Sequence, residues 1–428
     1  MTATSSVLGA TDREDAARVL ARCDELGALS SRPDALERVH LSGEHAAANA
    51  LVAGWLRAAG ATSTHVDQAG NVRGRLEGRE PGLPALVLGS HLDTVPDAGR
   101  YDGPLGVVLA VEVLARLARA QTEDGLEMPC ALEVVGFGDE EGVRFATALL
   151  GSRALAGSWD ETWWDGLVDA GGTSLRAAAE AFGLDPARVG EAALRPEQVV
   201  GYLETHIEQG PLLEEADLPL GVVTGIAGAR RFRVTVVGEA RHAGGTPWDR
   251  RRDALTGAAE VVLAVEREAR AAGAVATTGW ARVEPGALNV IPGRVELGVD
   301  LRAETDALRD ATWDAVLLAA QATCAARALT LEVEEVHCAP AVACAPRLAD
   351  AVAAGITAVT GEPAPRRLPS WAGHDAMAVA GLTDVGMLFV RCAGGISHAP
   401  GESVRGDDVA LALDAFEAAV LAVVSQVG

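Results

Sequence analysis

The sequence predicts an α/β protein in which a smaller α+β module interrupts the first domain. Short apolar runs that end in Gly and polar residues alternate with helical patterns up to residue 210 and again after residue 340. Between them, residues 221–336 follow a different order of strands and helices. A chain of 428 residues also exceeds the size at which single hydrophobic cores stop growing, so two domains are expected.

Composition limits the classes of partner. Hydrophobic residues make up 49% of the chain and charged residues 22%, which is typical of a protein with a sizeable core and not of a disordered one. The formal net charge of −24 disfavours binding to nucleic acid or to an anionic membrane. The sequence contains no lysine, so an anionic substrate would have to be bound by arginine.

The cysteines and the amino terminus indicate the compartment. The six cysteines are scattered without CxxC spacing, which argues against a zinc knuckle or a disulfide framework. The amino-terminal residues contain neither a basic n-region nor an apolar h-region, and no uncharged apolar run is long enough to span a bilayer. We therefore expect a cytoplasmic protein that does not associate with membranes.

The first elements lead into a buried strand. Residues 12–26 and 44–59 have apolar residues at helical spacing, which predicts two surface helices. Residues 63–76 alternate in polarity and turn at residues 69–71, which predicts a hairpin. The apolar run 83–88 then predicts a buried strand that ends at Gly89.

Polar residues gather after this strand, in the stretch GSHLDTVPDAGRYDGPLG. His91 and Asp93 lie two residues apart, and Asp102 follows in a Gly-rich loop before a predicted helix at residues 107–119. Ligands of open α/β sheets bind at the carboxyl ends of the strands. One imidazole and two carboxylates on a tightly turning loop at such an end suggest a metal site. A hydrogen-bonded pair beside a turn explains the same residues equally well, and only ligands elsewhere can decide between the two.

Two further strands end in polar residues. The buried strand predicted at residues 130–138 is followed by Glu140 and Glu141, whose side chains point roughly opposite ways, so that one can bind metal while the other transfers protons. Loops and helices at residues 151–196 are predicted to cover the site. A strand at residues 199–209 then brings His206 to a third strand end.

The module that follows has the order β-α-β-β-α-β, which is ferredoxin-like. Its predicted strands are residues 232–237, 276–283, 295–302 and 329–336, and its predicted helices are residues 253–272 and 306–328. The α/β pattern then resumes with a helix at residues 348–360 and a strand at residues 385–390. We therefore expect a discontinuous first domain, residues 1–215 and 337–428, and a second domain at residues 216–336.

Several characteristic motifs are spread over residues 89–400. They are GSHLDTV (89–95), DGPLG (102–106), GDEEGVRF (138–145), HIEQGP (206–211), RHAGGTPWDRRRDAL (241–255), PGALNVIPG (285–293), DLR (300–302), GHDAM (373–377) and GISHAP (395–400). With these motifs the sequence resembles the M20-type dinuclear metallohydrolases, in particular their amidase (hydantoinase/carbamoylase) branch. That branch holds N-carbamoyl-L-amino-acid hydrolases, allantoate amidohydrolases and β-ureidopropionases. The resemblance implies a mixed-sheet metallohydrolase catalytic domain with an inserted ferredoxin-like α+β lid and dimerisation domain.

The resemblance also implies two divalent metal ions. His91 and His206 would hold one ion, Glu141 and His398 the other, and Asp102 would bridge them. Three histidines and two carboxylates suit Zn²⁺, Mn²⁺ or Co²⁺, and the ligand types do not choose among these metals.

Other residues receive catalytic roles by the same resemblance. Asp93 would orient the His91 ring. Glu140 would be the general base that takes a proton from the attacking water and passes it to the leaving nitrogen.

The resemblance places substrate contacts mainly in the inserted module. Arg302 would bind the substrate carboxylate, although a surface ion pair with the neighbouring Asp300 and Glu304 is the alternative explanation of that arginine. Asn289 and Gln209 would hydrogen-bond the amide or ureido group. His242 would stabilise the tetrahedral oxyanion from the partner subunit, which implies a homodimer.

The expected reaction is hydrolysis of a carbamoyl or ureido C–N bond on a small carboxylate, giving the L-amino acid, CO₂ and ammonia from an N-carbamoyl-L-amino acid. Allantoate hydrolysis is the nearest alternative, an M20 aminoacylase or peptidase the next, and a metal-free binding protein the alternative from another class. Trp371 and Cys392 depart from the pattern of the family, which often has Gly and a small polar residue at these positions. Trp371 could reshape the pocket, or it could serve only for packing.

Overall fold

The computed structural model describes residues 10–427 of the chain, which form two compact units. The second unit is Gly225–Val342, and the first comprises the described residues on either side of it. The predicted boundaries were residues 216 and 336. The chain stays with the first unit through Thr224 because a strand at Leu220–Ile226 pairs in that unit's sheet. The predicted lack of a basic n-region and an apolar h-region concerns residues 1–15, of which residues 1–9 lie outside the described residues.

The first unit alternates strands and helices. Before the insertion it contains α1 (Ala10–Gly27), α2 (Gly43–Ala58), β1 (Ser63–Val66), β2 (Val72–Leu76), β3 (Ala85–His91), α3 (Pro104–Glu123), β4 (Ala131–Phe137), α4 (Leu150–Leu155), α5 (Trp163–Gly166), α6 (Leu175–Phe182), β5 (Val199–Ile207), α7 (Leu212–Glu215) and β6 (Leu220–Ile226). Short 3-10 helices span Pro186–Ala192, Pro196–Gln198, Trp248–Arg250 and Ala393–Gly395, of which Trp248–Arg250 belongs to the second unit.

The second unit follows, and the first then resumes. The second unit contains β7 (Gly228–Val237), β8 (Arg241–His242), α8 (Ala254–Ala272), β9 (Val275–Glu284), β10 (Val290–Ile291), β11 (Arg294–Ala303), α9 (Asp306–Ala326) and β12 (Thr330–Ala339). The chain continues with β13 (Val342–Ala343), α10 (Pro346–Thr360), β14 (Arg367–Ser370), α11 (Ala376–Val379), β15 (Val385–Val390) and α12 (Gly406–Val424).

The first unit is built on one mixed sheet of nine strands. Its order is β1-β2-β4-β3-β5-β15-β6-β13, and β14 pairs with β6 outside this path. Strands β4, β3, β5 and β15 are mutually parallel neighbours, whereas β2 and β6 pair with this group in the antiparallel direction. The carboxyl ends of the four parallel strands therefore meet at one edge of the sheet, where open α/β sheets bind ligands.

Helix α3 fixes the shape of that edge. Strands β3 and β4 are buried at every residue, as expected for parallel strands covered on both faces. A Cβ on Gly106 would lie 2.0 Å from the Thr205 carbonyl oxygen, so glycine allows the first turn of α3 to lie directly against β5. Together with the Gly-rich loop before it, this close approach brings the start of α3 to the strand ends.

The second unit has its own sheet and core. Its four strands have the order β12-β7-β11-β9, and each neighbouring pair is antiparallel. Strand β11 alternates between buried and partly exposed residues, and its buried side packs with residues of α8 and α9. A separate ribbon pairs β8 with β10.

The predicted helices and strands are confirmed, with bounds that move by a few residues. The hairpin turns where expected, and β15 has the predicted limits. The prediction missed α12, whose apolar residues are buried around much of its circumference, and the strand β6. It also missed the short elements α7, α11, β8, β10, β13 and β14. Within residues 10–427, no helix is both long and apolar enough to cross a membrane.

Candidate metal centre

Four strand ends bring polar side chains to one edge of the first unit's sheet. Strand β3 ends at His91, β4 is followed by Glu140 and Glu141, and β5 ends just after His206. The loop after β15 contains His398. Because these strands are parallel neighbours, residues far apart in the sequence gather around the loop that contains Asp102.

Asp102 lies at the centre of this group, and its side chain is buried. His206 Nε2 is 3.1 Å from Asp102 Oδ1, and His398 Nε2 is 3.0 Å from Asp102 Oδ2. His91 Nε2 lies 4.0 Å from Oδ1. On the other side, His398 Nε2 is 3.4 Å from Glu141 Oε1. One carboxylate therefore faces three imidazoles, two through one oxygen and one through the other.

The two buried histidines have a defined orientation. His91 Nδ1 lies 3.0 Å from the Asp93 carbonyl oxygen, and His206 Nδ1 lies 2.9 Å from the Ile207 carbonyl oxygen. A carbonyl oxygen can only accept, so each Nδ1 donates its hydrogen, and the neutral ring then leaves the Nε2 lone pair, on the side of Asp102, available to a metal. This is the arrangement in which histidine binds a metal.

Asp93 fixes the two glutamates through their main chain. Its Oδ1 accepts a hydrogen bond from the Glu140 amide at 3.0 Å, and its Oδ2 accepts one from the Glu141 amide at 3.2 Å. The Asp93 carboxylate is 3.6 Å from His91 Nδ1, so the closer contact to that ring comes from the Asp93 carbonyl. The carboxylate of Asp93 therefore orients the glutamates more directly than it orients His91.

The backbone adopts unusual conformations at three of these strand ends. Asp139, Gln209 and His398 have φ angles of 64°, 54° and 55°, in the left-handed region that L-residues rarely occupy. Such conformations are typical of functional sites, where the surrounding structure enforces them. In addition, Gly103 has a φ of +83°, and a Cβ there would lie 2.5 Å from the His91 ring.

Burial and mutual contacts shift the pKa values of the side chains in this group. Burial raises the pKa of Glu140 to about 8 and that of Glu141 to about 7. The hydrogen bond between His398 and Asp102 raises the pKa of His398 to about 9. Burial opposes ionisation of Asp102, yet the neighbouring imidazoles of His206 and His398 hold the pKa of that carboxyl well below its usual value.

The donor set fits divalent metal ions. The donor atoms of His91, Asp102 and His206 lie within 4.8 Å of one another, and so do those of Asp102, Glu141 and His398. His206 Nε2 is buried and makes no hydrogen bond, which a metal ion would satisfy. Two further trios are equally compact, His91 with Glu140 and Glu141, and Glu204 with His206 and His374.

The Gln209 side chain points into this group and contacts the Asp102 carboxylate. Its Nε2 donates to both Asp102 oxygens, at 3.2 and 3.0 Å, and lies 3.3 Å from His398 Nε2. The expected contact of Gln209 with an amide substrate would therefore require its side chain to leave Asp102. The local sequence does not determine this rotamer.

Sequence reasoning missed several residues around the centre. Ser397 donates to Asp102 Oδ2 at 2.9 Å, and Glu402 accepts hydrogen bonds from the main chain of the Asp102 loop. The His374 ring packs edge-on against His206, with centroids 4.4 Å apart. Proximity to His398 in the sequence was the only signal for Ser397 and Glu402, and the GHDAM motif the only signal for His374.

Trp371 and Cys392 lie in two loops of the first unit. Trp371 is partly buried and lies in the loop of Gly373, where an added Cβ would lie 3.5 Å from Glu140 Oε1. Cys392 is buried, and its thiol donates to the Ile396 carbonyl at 2.9 Å. This cysteine thus stabilises the loop that contains His398.

The remaining expected residues belong to the second unit. His242 is exposed on β8, its Nδ1 accepts a hydrogen bond from the Gly245 amide, and it pairs across the ribbon with Val290, next to Asn289. Arg302 lies on β11 and donates to Asp300 at 2.9 Å, so the ion pair of the alternative explanation is present.

Comparisons with known proteins agree with one another. Residues 87–422 match peptidase family M20/M25/M40. An N-carbamoyl-L-amino acid amidohydrolase of Geobacillus stearothermophilus is 40% identical over 396 residues, which cover 92% of this chain and 95% of that protein. An allantoate deiminase of Arabidopsis thaliana is 42% identical over 421 residues, which cover 92% of this chain and 79% of that protein.

A solved structure has the same fold. An amidase of the hydantoinase/carbamoylase family from Burkholderia multivorans superposes with a TM-score of 0.86 at 32% sequence identity. The superposition covers 95% of this chain and 97% of the amidase.

Proposed function

The chain belongs to peptidase family M20/M25/M40, and from that premise we propose that it hydrolyses the C–N bond of a carbamoyl or ureido group on a small carboxylate. The protein is a metal-dependent hydrolase of non-peptide C–N bonds. Similarity to an N-carbamoyl-L-amino acid amidohydrolase over nearly the whole chain supports an N-carbamoyl-L-amino acid as substrate, with the L-amino acid, CO₂ and ammonia as products. The observation that best supports the chemistry is the cluster of imidazoles around the buried Asp102.

We assign two divalent ions, Zn²⁺, Mn²⁺ or Co²⁺, to this cluster. His91 and His206 would hold one ion, Glu141 and His398 the other, with Asp102 shared between them. The orientation of both buried histidines and the unsatisfied His206 Nε2 support this assignment. When bound, such ions polarise a scissile carbonyl and make water a better nucleophile at neutral pH.

Glu140 is the proposed general base. It is not required as a ligand in this assignment, so its carboxylate is able to take a proton from the attacking water and deliver it to the leaving nitrogen. Burial raises the pKa of Glu140 to about 8, which brings its proton exchange closer to neutral pH than that of an exposed glutamate. The Asp93 hydrogen bond to the Glu140 amide holds this side chain at its place on the strand end.

Substrate contacts and assembly complete the proposal. Arg302 would bind the substrate carboxylate, Asn289 and Gln209 the amide or ureido group, and His242 of a second copy the tetrahedral oxyanion. The protein would then be a homodimer, and the second unit a ferredoxin-like lid and dimerisation domain. The antiparallel order β12-β7-β11-β9, with α8 and α9 on one face, supports the ferredoxin-like class.

Allantoate is the second candidate substrate. The allantoate deiminase of Arabidopsis is as similar to this chain as the carbamoyl amino acid hydrolase is. The same ligands and the same arginine would serve both substrates. An aminoacylase or peptidase activity is the third possibility within this family.

Ammonia release decides among these substrates. The full chain, loaded with Mn²⁺ or Zn²⁺, is assayed against several N-carbamoyl-L-amino acids and against allantoate, and N-acyl amino acids are followed by release of the amine. Glu140→Gln keeps the shape of the side chain but cannot act as a base, so it should abolish turnover. The matched control is Glu112→Gln, a buried glutamate of α3 that contacts Arg18 and Arg22, which should remain active.

We expect turnover of carbamoyl amino acids that disappears in Glu140→Gln. Turnover of allantoate alone would assign the second candidate. Activity on N-acyl amino acids alone, or full activity of Glu140→Gln, would contradict the proposal.

A further inference from the structure

A buried glutamate outside the expected site joins two of its loops. Glu402 is 5% exposed and follows His398 by four residues. Its Oε1 accepts hydrogen bonds from the main-chain amides of Tyr101 and Asp102, at 2.7 and 3.1 Å. These amides belong to the loop before α3, about 300 residues away in the sequence. One carboxylate group thus links the loop of Asp102 to the loop of His398.

The other carboxylate oxygen reaches the same two loops through Ser397. The Ser397 hydroxyl lies 3.2 Å from Glu402 Oε2 and 2.9 Å from Asp102 Oδ2. A hydroxyl has one hydrogen, so Ser397 donates to one of these carboxylates at a time. Because Ser397 immediately precedes His398, Glu402 contacts the backbone of Asp102 and the neighbour of His398 together.

The local sequence is adapted to this close contact. A Cβ on Gly99 would lie 2.2 Å from the Glu402 Cδ and 2.3 Å from its Cβ. Any residue other than glycine at position 99 would therefore displace Glu402. Gly99 lies in the same loop as Asp102, so the glycine permits the bonds that Glu402 makes to that loop.

We infer that Glu402 is a positioning residue, which holds the loops of Asp102 and His398 at the separation that a pair of divalent ions requires. The inference rests on the proposed metal centre. Partners that orient the ligands of a metal are worth roughly 10- to 100-fold in metal affinity. Loss of Glu402 should therefore weaken metal binding without removing any ligand.

A buried carboxylate that contacts none of the proposed metal ligands provides the comparison. Asp67 is also 5% exposed and accepts hydrogen bonds from two main-chain amides, those of Ala69 and Asn71, and from the Asn71 side chain. Asp67→Ala removes a similar set of bonds from a turn that holds none of the proposed ligands. It should lower the melting temperature and leave metal affinity unchanged.

The experiment is a metal titration of the full chain after chelation and dialysis. Zn²⁺ binding is measured by calorimetry, and the visible absorption of the Co²⁺-loaded protein reports the ligand geometry. We expect Glu402→Ala to bind roughly 10- to 100-fold more weakly than the original protein and to show an altered Co²⁺ spectrum. Glu402→Gln keeps an acceptor for the amides and offers Ser397 a donor, so it should restore affinity to within about threefold.

The outcomes separate this inference from the proposed function. If the original protein binds no metal, both are wrong. If it binds metal and Glu402→Ala binds equally well with the same Co²⁺ spectrum, only the role of Glu402 is wrong. If Glu402→Ala does not fold, Glu402→Asp replaces it, because the shorter side chain cannot reach the amides and Ser397 together. The same weakening in Glu402→Asp supports the inference, and unchanged affinity overturns it.

Discussion

The two hydrogen bonds that Asp93 accepts predict how far its replacement should lower the free energy of unfolding. Its carboxylate accepts one hydrogen bond from each of the Glu140 and Glu141 amides, at 3.0 and 3.2 Å, and the side chain is buried. Hydrogen bonds to a charged group contribute about 1.5–3 kcal/mol each. Asp93→Ala removes both and should lower the free energy of unfolding by about 3–6 kcal/mol. Asp93→Asn keeps one acceptor and should cost about half as much.

The assay is urea denaturation of the chelated protein followed by circular dichroism, so that metal does not contribute. The matched control is Asp97→Asn, an aspartate of the same loop whose side chain is 56% exposed and pairs with Arg32. It should change stability by no more than about 0.5 kcal/mol. Equal stability of Asp93→Ala and Asp97→Asn would refute the assignment of the two amide bonds to Asp93. Turnover of the metal-loaded Asp93 variants should also fall, since both glutamates lose their support.

Three further predictions follow from the geometry. Gly103→Ala should weaken Zn²⁺ binding more than tenfold, because its Cβ would lie 2.5 Å from the His91 ring. The control is Gly82→Ala, which has a φ of +78° but open space around it and should only lower stability. Equal metal affinity of the two variants would contradict the predicted clash. Arg302→Gln should raise KM roughly 10- to 100-fold with kcat nearly unchanged, as expected for the loss of a hydrogen bond to a charged group. Arg231 is the other arginine that pairs with Asp300, and Arg231→Gln should change KM less than twofold. Chelation should abolish activity reversibly. Re-addition of metal at 100 times its Kd should stabilise the protein by about 2.7 kcal/mol per site. A melting temperature that stays the same after chelation would argue against bound metal.

The sequence allowed the strand ends to be predicted because local patterns encode them. Apolar runs that stop at Gly define β3, β4 and β5, and the residues at their ends are therefore known before their neighbours are. The α/β class and the order of elements follow from the same patterns. The resemblance to a family then supplied roles for residues such as Glu140 that position alone could not assign.

Contacts between distant segments could not be predicted in this way. The bonds from Glu402 to the Asp102 loop join residues about 300 positions apart, and the register of the sheet creates them. Asp93 was expected to orient His91, yet its carboxylate bonds the glutamate amides, because β3 and β4 end side by side. The rotamer that places Gln209 on Asp102 also depends on these tertiary neighbours.

The metal content of the purified chain tests the central claim most directly. The original protein, Asp102→Ala and His398→Ala are dialysed against Zn²⁺ and then against metal-free buffer, and bound metal is counted by mass spectrometry. We predict two ions per chain for the original protein, one for His398→Ala, and fewer than one for Asp102→Ala, since Asp102 is shared between both ions. An original protein without metal, or an Asp102→Ala variant that keeps two ions, would contradict the account.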